Sequence, residues 1–380
     1  MNILLSPDSY KGNLTARQVC DAMAEGVSLA APEATVDLVP MADGGDGTVD
    51  AVLAAIEAEA VQALVHGPLG ELVEAKLAYV AQSHTAVIEM ASASGLTLLS
   101  PDSLDPLSAS TFGTGELILK ALDLGCRRLV IGIGGSATND AGTGMARALG
   151  VRFLDSRGCE LPPGGAALSG LASIDLSGLD PRLSSCNVDV ACDVNNPLYG
   201  PSGAAAVYGP QKGATDEMIL VLDAAMMQFS RVLKEQHGID VADVPGAGAA
   251  GGLGAGLLAF LGARLGSGVN MIADLVRLPE RIRGADLVIT GEGRLDAQSS
   301  MGKAVQGVAR LCHLANVPVV ALVGALDPAA FCTGGMPGLT AAFSVLPGPA
   351  SLDRALEEAA GNITFTTSQV VRLYQAARFV

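Results

Sequence analysis

Residues 129–144 read Leu-Val-Ile-Gly-Ile-Gly-Gly-Ser-Ala-Thr-Asn-Asp-Ala-Gly-Thr-Gly, and this pattern decides the fold. The apolar run 129–133 predicts a strand, and 141–149 has the spacing of a helix. Between them lies a loop of glycines, hydroxyls and an amide. Glycines let backbone N–H groups approach an anion, and a helix N-terminus favours negative charge. The stretch therefore predicts a loop on an α/β scaffold that binds phosphate or carboxylate.

The same alternation of apolar strands and amphipathic helices extends along most of the chain. Segments 3–6, 36–41, 86–90, 286–290 and 317–323 predict further strands, with helical patterns between them. Such alternation favours a parallel sheet that is covered by helices on both faces. We therefore predict a Rossmann-like α/β domain.

Two regions interrupt this rhythm. Residues 61–80 predict a β-hairpin, and 149–283 mix short strands with glycine- and proline-rich loops. The length of 380 residues is enough for two domains. We expect 61–84 and 149–283 to form a mixed α/β domain, inserted into a Rossmann-like domain of 1–60, 85–148 and 284–380.

Composition excludes several classes of partner. The net charge of −16 repels nucleic acid and anionic membranes, and no basic stripe offsets it. The uncharged segment 246–263 is mostly glycine and alanine, which predicts a buried segment and not a membrane span. Seven scattered cysteines without a Cys-x-x-Cys favour a reducing compartment, so we expect a cytoplasmic protein with small-molecule substrates. The oligomeric state stays open.

Polar side chains follow the predicted strands. The clusters are Asp8, Ser9 and Lys11; Asp43 and Asp46; Ser136, Thr138, Asn139 and Asp140; Asp193, Asn195 and Asn196; and Thr290, Glu292, Arg294 and Asp296. Ligands of open α/β sheets bind outside the carboxyl ends of strands, so convergence of these clusters would create a polar cleft. Its carboxylates would suit Mg²⁺, which often arrives with nucleotide phosphates. Turn chemistry alone accounts for any one cluster.

Glycine motifs leave an alternative open. Gly132-x-Gly134-x-x-Ala137 follows a predicted strand and matches a loose dinucleotide pattern, with Asp155 as a candidate ribose ligand. Gly302-Lys303 does not complete a Walker A motif, although Lys303 could still contact a phosphate. A nicotinamide-dependent oxidoreductase of a hydroxy acid and a non-catalytic organic-acid binder therefore remain alternatives.

Several blocks, in order along the chain, resemble bacterial type I glycerate kinases. They are Pro7-Asp8-Ser9-Tyr10-Lys11, Ala42-Asp43-Gly44-Gly45-Asp46-Gly47-Thr48, Gly134-Gly135-Ser136-Ala137-Thr138-Asn139-Asp140-Ala141-Gly142, Ala191-Cys192-Asp193-Val194-Asn195-Asn196-Pro197-Leu198, Gly209-Pro210-Gln211-Lys212-Gly213-Ala214 and Thr290-Gly291-Glu292-Gly293-Arg294-Leu295-Asp296. The resemblance extends from residue 1 to roughly residue 325. Ser299-Ser300-Met301 departs from the family pattern, which expects a threonine after Gln298.

The resemblance implies an activity and a site. It implies two α/β domains with the active site between them, and transfer of the ATP γ-phosphoryl group to D-glycerate with Mg²⁺, giving 2-phosphoglycerate. On that basis Asp193 would orient or deprotonate the glycerate hydroxyl, with Asp296 as the rival base. Lys11, Arg294 and Lys303 would hold the substrate carboxylate and the transferring phosphate.

The remaining candidates would bind ligands or metal. Those for substrate or phosphate are Asp8, Ser9, Gly134, Gly135, Ser136, Thr138, Asn139, Asn195 and Glu292. The loop 134–138 would offer backbone donors either to a nucleotide phosphate or to the glycerate carboxylate. Asp43 and Asp46 would hold Mg²⁺ directly or through water.

Overall fold

The structure is a computed structural model that describes residues 1–295, 304–327 and 336–377. The strands are β1 (Asn2–Leu5), β2 (Thr35–Leu38), β3 (Glu59–His66), β4 (Leu72–Val80), β5 (Thr85–Glu89), β6 (Arg128–Gly132), β7 (Arg152–Leu154), β8 (Ser173–Asp175), β9 (Asn187–Ala191), β10 (Arg264–Gly266), β11 (Leu287–Leu295), β12 (Val319–Leu326) and β13 (Ala341–Ser344). The α-helices are α1 (Ala16–Ala30), α2 (Thr48–Ala55), α3 (Ala91–Ser94), α4 (Phe112–Asp123), α5 (Thr143–Ala148), α6 (Ala204–Tyr208), α7 (Asp216–His237), α8 (Ala249–Leu261), α9 (Gly268–Leu275), α10 (Leu278–Arg283), α11 (Ala304–Ala315), α12 (Leu352–Glu357) and α13 (Ala359–Ala377).

The chain forms two compact units. Unit 1 comprises Met1–Asp43, Asp50–Glu57 and Val269–Val380, and unit 2 comprises Gly44–Val49 and Ala58–Gly268. The predicted α/β class, with a parallel sheet and a second mixed sheet, is confirmed.

Unit 1 contains a parallel sheet in the order β13-β12-β11-β1-β2. Alternate residues of β12 face different apolar clusters, because successive side chains of a strand point to opposite faces. Leu322 packs in the cluster that includes Val19 and Met23 of α1, whereas Val323 packs with Val305 of α11. Helices therefore cover both faces of this sheet, as its apolar strands require.

Unit 2 contains a mixed sheet in the order β10-β9-β6-β5-β4-β3. The strands from β10 to β5 are parallel, and the hairpin β3–β4 adds two antiparallel strands at one edge. β7 and β8 form a small antiparallel pair of their own. Residues 85–148, which the sequence pattern groups with the N-terminal strands, lie in unit 2 because β5 pairs with β4 and β6, and β6 pairs with β9, whereas neither pairs with β1.

Local signals of the sequence have clear structural counterparts. Thr15 caps α1: its hydroxyl accepts from the Gln18 backbone N–H, and the Gln18 side chain accepts from the Thr15 N–H. Such a capping box satisfies two otherwise unpaired donors.

Segment 246–263 forms the buried glycine-rich α8 and the loop before it. In the described part of the chain, no helix is both long enough and apolar enough to cross a membrane.

Candidate functional site

The carboxyl ends of β1 and β11 bring one group of predicted residues together in unit 1. The chain after β1 continues along β11, since the Asp8 N–H donates to the Gly291 carbonyl at 2.9 Å. On the other side of β1, the Met41 N–H donates to the Pro7 carbonyl at 2.8 Å. The polar residues after β1, Asp43 after β2 and the polar residues along the end of β11 therefore meet at one edge of unit 1, as parallel strands allow.

A cavity of about 380 Å³ lies at this edge. Its polar lining consists of Asp8, Ser9, Tyr10, Lys11, Asn13, Asp43, Glu292 and Arg294. Most of the apolar lining comes from the end of β12, the segment after β13, α12 and the start of α13. Its residues are Ala325, Val345, Leu346, Leu352, Ala355, Leu356 and Ala359. This combination of an apolar wall with few charged groups is typical of a small-ligand site.

Asp8 is the buried carboxylate of this cavity, with a relative exposure of 7%. Burial raises its pKa to about 6, and the neighbouring Asp43 carboxylate adds to the rise. The Ser9 N–H, which donates to Asp8 Oδ1 at 2.6 Å, and the Lys11 ammonium act in the opposite direction. Two carboxylates thus share one wall of the cavity, and a cation would relieve their repulsion.

Lys11 and Arg294 supply positive charge to the same cavity. The Lys11 side chain is 71% exposed, and its Nζ lies 3.2 Å from Asp43 Oδ2. An ion pair this exposed contributes little to stability, so Lys11 can exchange partners at low cost. Arg294 lies near the end of β11 and is exposed.

Tyr10 and Glu292 line the same cavity as Lys11 and Arg294. Both side chains are buried, and the Tyr10 hydroxyl donates to the Leu322 carbonyl at 3.0 Å. Burial raises the pKa of Tyr10, and the Glu292 carboxylate raises it further. Tyr10 therefore stays neutral and fixes the loop after β1 against β12.

A second group of predicted residues meets in unit 2, at the carboxyl ends of β6 and β9. The register pairs Gly132 with Ala191, so the loops after these strands begin side by side. The turn that contains Asp46 packs on them. A Cβ on Gly132 would lie 2.2 Å from the Gly44 carbonyl oxygen, and one on Gly135 would lie 2.9 Å from Asp46 Oδ1. Glycine is needed here because backbone approaches backbone.

The loop after β6 is exposed only at its start. Gly134 and Gly135 are exposed, and within the described residues their N–H groups donate to no backbone carbonyl. Ser136 is 6% exposed, and Thr138 and Asn139 are fully buried. The Leu96 N–H donates to the Gly135 carbonyl at 2.9 Å, which ties the loop to the chain after α3. The glycine backbone is thus the part of this loop that a ligand can reach.

Two buried charges hold the rest of this loop. The Asp140 carboxylate accepts hydrogen bonds from the Thr111 N–H and hydroxyl and from the N–H groups of Gly142 and Gly144, at 2.8 to 3.2 Å. The Lys212 ammonium, 1% exposed, donates to Ser136 Oγ at 2.7 Å and to the Thr138 carbonyl at 2.6 Å. Burial raises the pKa of Asp140 and lowers the pKa of Lys212 to about 7.

Buried polar atoms without a partner cluster in the same loop. Among the described residues, the Thr138 hydroxyl and both amide atoms of the Asn139 side chain have no hydrogen-bond partner. Native proteins seldom leave such groups unpaired, and those that do occur need an explanation. The Thr138 and Asn139 side chains are buried in this structure, and the predicted contact of these residues with a ligand stays a prediction.

Asp193 and Asn195 follow β9 at the same edge of unit 2. Both are exposed, and Asp193 Oδ1 accepts from the Gly268 N–H at 3.3 Å. Two other candidates predicted from the sequence, Asp296 and Lys303, lie outside the described residues. The predicted clusters thus divide into a unit 1 group and a unit 2 group.

The dinucleotide alternative does not fit this arrangement. That pattern needs a helix to begin inside the glycine loop so that its N-terminus can hold the pyrophosphate. Here α5 begins only at Thr143, and the loop first pairs with Gly95 and Leu96. Asp155 follows β7, which pairs with β8 and does not belong to the sheet of β6.

A magnesium ion fits the carboxylates only in part. Within the described residues, no group of three or more His, Cys, Asp or Glu side chains is arranged to hold a metal. Mg²⁺ that arrives with nucleotide phosphates usually takes only one or two protein carboxylates. Asp8 and Asp43 line one cavity and suit that role, whereas Asp46 belongs to the other unit.

Sequence reasoning gave no role to Tyr10 or Lys212, although both lie in the family-like blocks. Lys212 ends a short 3-10 turn, Pro210–Lys212, between glycines. A lysine in such a turn is ordinarily exposed. Nothing local marks its burial, because the partners Ser136 and Thr138 are more than seventy residues away.

The chain is similar to known proteins of one family. The sequence profile of the Glycerate kinase family matches residues 3–375. The chain is 48% identical to Glycerate 2-kinase of Escherichia coli (strain K12), over 96% of this chain and 95% of that protein. It is 46% identical to Glycerate kinase of Bacillus subtilis (strain 168), over 100% of this chain and 99% of that protein.

A solved structure is equally similar. The crystal structure of a candidate glycerate kinase 2 from Salmonella typhimurium LT2 superposes with a TM-score of 0.91 at 45% identity, and each chain is covered completely. The profile match and the full-length relatives agree with the earlier resemblance. The chain therefore belongs to the glycerate kinase family.

Proposed function

We propose that this protein transfers the γ-phosphoryl group of ATP to the 2-hydroxyl of D-glycerate, giving ADP and 2-phosphoglycerate in the cytoplasm. Membership of the glycerate kinase family supports the donor and the acceptor, and the name of the Escherichia coli relative supports the 2-position. The structural observation that carries the proposal is the unit 1 cavity, in which Lys11 and Arg294 lie with the Asp8 and Asp43 carboxylates.

Phosphoryl transfer depends on positioning and on neutralisation of charge. Lys11 and Arg294 supply cations at the cavity, and Lys303 would add a third. Lys11 is exposed and paired weakly, so it can move from Asp43 to a phosphate oxygen. Arg294 can bind two oxygens of a phosphate or carboxylate at once, a geometry that lysine lacks.

Asp43, together with Asp8, would hold the magnesium ion, and Asp46 would assist through water. Mg²⁺ bound with ATP would neutralise negative charge on the phosphate groups. Burial raises the pKa of Asp8, and the Asp43 carboxylate in the same cavity adds to the rise, so a cation bound between the two carboxylates would offset their repulsion. Ser9 and Glu292 line the same cavity and would orient the bound ligand.

The reaction forms one bond and breaks another. The glycerate hydroxyl oxygen attacks the γ-phosphorus, and the bond from that phosphorus to the bridging oxygen breaks, so that ADP leaves. The hydroxyl proton passes to Asp193, with Asp296 as the rival acceptor. The Asp193 carboxylate is exposed, and its Oδ1 accepts from the Gly268 N–H, which orients the side chain.

The loop after β6 would bind an anionic end of the substrates. Gly134 and Gly135 present exposed N–H groups, which suit a phosphate or the glycerate carboxylate. Ser136, Thr138 and Asn139 would then shape the loop, since their side chains are buried. Asn195, exposed beside Asp193, would contact the glycerate.

A coupled assay of ADP release tests the activity. With D-glycerate, ATP and Mg²⁺ present, we expect ADP to appear in proportion to enzyme, and none to appear when D-glycerate is omitted. A binder of organic acids would release no ADP, and an oxidoreductase would instead reduce a nicotinamide cofactor without ATP. Either of these results would refute the proposed function.

Replacing Asp193 tests the base. Asp193→Asn keeps the size of the side chain but cannot accept the proton, so we expect kcat to fall by about a hundredfold to ten-thousandfold. Asp296→Asn, measured in parallel, decides between the two candidates. Asp240→Asn is the matched control, since Asp240 is an exposed carboxylate paired with Lys234. Normal turnover by Asp193→Asn would remove Asp193 from the mechanism.

A further inference from the structure

Lys212 occupies an unusual place for a lysine. Its side chain is among the largest that are fully buried, and it lies on no cavity wall of unit 1. The burial of an ammonium is costly unless hydrogen bonds and charge compensate it. A group retained at such cost requires a reason beyond filling space, because an apolar side chain of the same volume would fill it equally well.

Its two hydrogen bonds have a common target. Ser136 Oγ and the Thr138 carbonyl both belong to the loop after β6, two residues apart. At the end of the loop, the Asp140 carboxylate accepts hydrogen bonds from the Thr111 N–H and hydroxyl. Asp140 is also the charged group whose field acts on the Lys212 ammonium. The loop is thus held at its middle by a buried cation and at its end by a buried anion.

The start of the loop is free to bind. Gly134 and Gly135 are exposed, Gly135 has a positive φ of 74°, and no backbone carbonyl of the described residues accepts from their N–H groups. Such a glycine pair could adopt many conformations if nothing fixed the residues that follow it. The adjacent buried groups of Thr138 and Asn139 lack partners and do not fix it.

We propose that Lys212 is a positioning residue: by binding Ser136 and the Thr138 carbonyl, it fixes the loop so that the Gly134 and Gly135 N–H groups point together at an anionic oxygen of a substrate. The ligand chemistry is a carboxylate or phosphate oxygen, supplied by D-glycerate or by ATP. Lys212 does not touch the substrate, because its Nζ is buried beneath the loop. This inference rests on the proposed function for the identity of the substrates.

Lys212→Met tests the proposal, because methionine has nearly the same length and volume but no donor. Lys234→Met is the matched control: the same change in the same unit, at an exposed lysine. We expect Lys212→Met to raise the KM for either ATP or D-glycerate by about tenfold or more, with little change in kcat. The substrate whose KM rises identifies the anion that the loop binds. Lys212→Gln, which restores an N–H donor, should recover part of the loss.

Hydrogen–deuterium exchange provides a readout that does not depend on turnover. Peptides that span 133–140 should exchange faster in Lys212→Met than in the wild type, and equally fast in Lys234→Met and the wild type. Unchanged exchange in Lys212→Met, or KM values of both substrates within about twofold of wild type, would overturn the proposal. A wild type that releases no ADP would instead reject the proposed function, and exchange alone would then decide the role of Lys212.

Discussion

The polar edges of the two sheets differ in which charged side chains are exposed. At the edge of unit 1, the charged side chains line a cavity, and the cations Lys11 and Arg294 are exposed. At the edge of unit 2, the charged side chains Asp140 and Lys212 are buried, and the exposed groups of the loop after β6 are the glycine backbone.

This difference predicts how substitutions at each edge will act. Where charged side chains face a ligand, a substitution removes binding or catalysis and leaves the fold intact. Where charged side chains lie under a glycine loop, a substitution changes stability and loop shape first, and ligand binding only as a consequence. The following predictions test that contrast, from the largest expected effect to the smallest.

Arg294→Ala should have the largest effect, on catalysis alone. Loss of a guanidinium that neutralises the transferring phosphate is expected to lower kcat/KM by about a hundredfold to a thousandfold, or ~3–4 kcal/mol. The melting temperature should stay near that of the wild type, because the side chain is exposed. Arg372→Ala, an exposed arginine of α13, is the control. Equal activity of the two variants would contradict the role of Arg294.

Asp140→Asn should act on stability. An amide cannot accept all the bonds that the buried carboxylate receives from Thr111, Gly142 and Gly144, so we expect a loss of about 3 kcal/mol in the free energy of unfolding. The half-buried Asp175, which accepts from the Ser177 N–H, provides the control Asp175→Asn, with a loss below about 1 kcal/mol. Urea unfolding measures both, and equal losses would contradict the account of the buried anion.

Lys212 should make stability depend on pH. Its pKa is about 7 in the folded state, below its ordinary value of 10.5, so above pH 7 the unfolded chain binds the extra proton. Stability relative to Lys212→Met should therefore rise with pH, by up to about 1.4 kcal/mol per pH unit between roughly pH 7 and pH 9. Urea unfolding of both proteins across this range gives the difference. A difference that stays constant or falls would show that burial does not lower the pKa of Lys212.

Much of the fold follows from local sequence. The capping box of Thr15 and Gln18 starts α1, the polar alternation of 61–80 forms the hairpin β3–β4, and Thr215 caps α7. The local sequence pattern could not predict the sheet to which a strand belongs. β5 and β6 are apolar strands that could pair in either sheet, but β5 pairs with β6, and β6 pairs with β9, more than fifty residues later.

The candidate site could be predicted from the sequence to a similar extent. Clusters of Asp, Ser, Lys and Arg at strand ends were visible, because parallel sheets place ligand sites there. The burial of Thr138 and Asn139 was not visible, since hydroxyl and amide residues beside glycines are ordinarily found in exposed turns. The burial of Lys212 could not be predicted from local sequence either, because it arises from tertiary contacts with Ser136 and Thr138.

The most direct test of the central claim is the identity of the phosphorylated product. Wild-type protein is incubated with D-glycerate, ATP and Mg²⁺, and the product is examined by proton–phosphorus correlation NMR. The account predicts a new phosphomonoester whose phosphorus couples to the single proton on carbon 2, and hence 2-phosphoglycerate. Coupling to the two protons on carbon 3, or no new phosphomonoester while ATP persists, would contradict it.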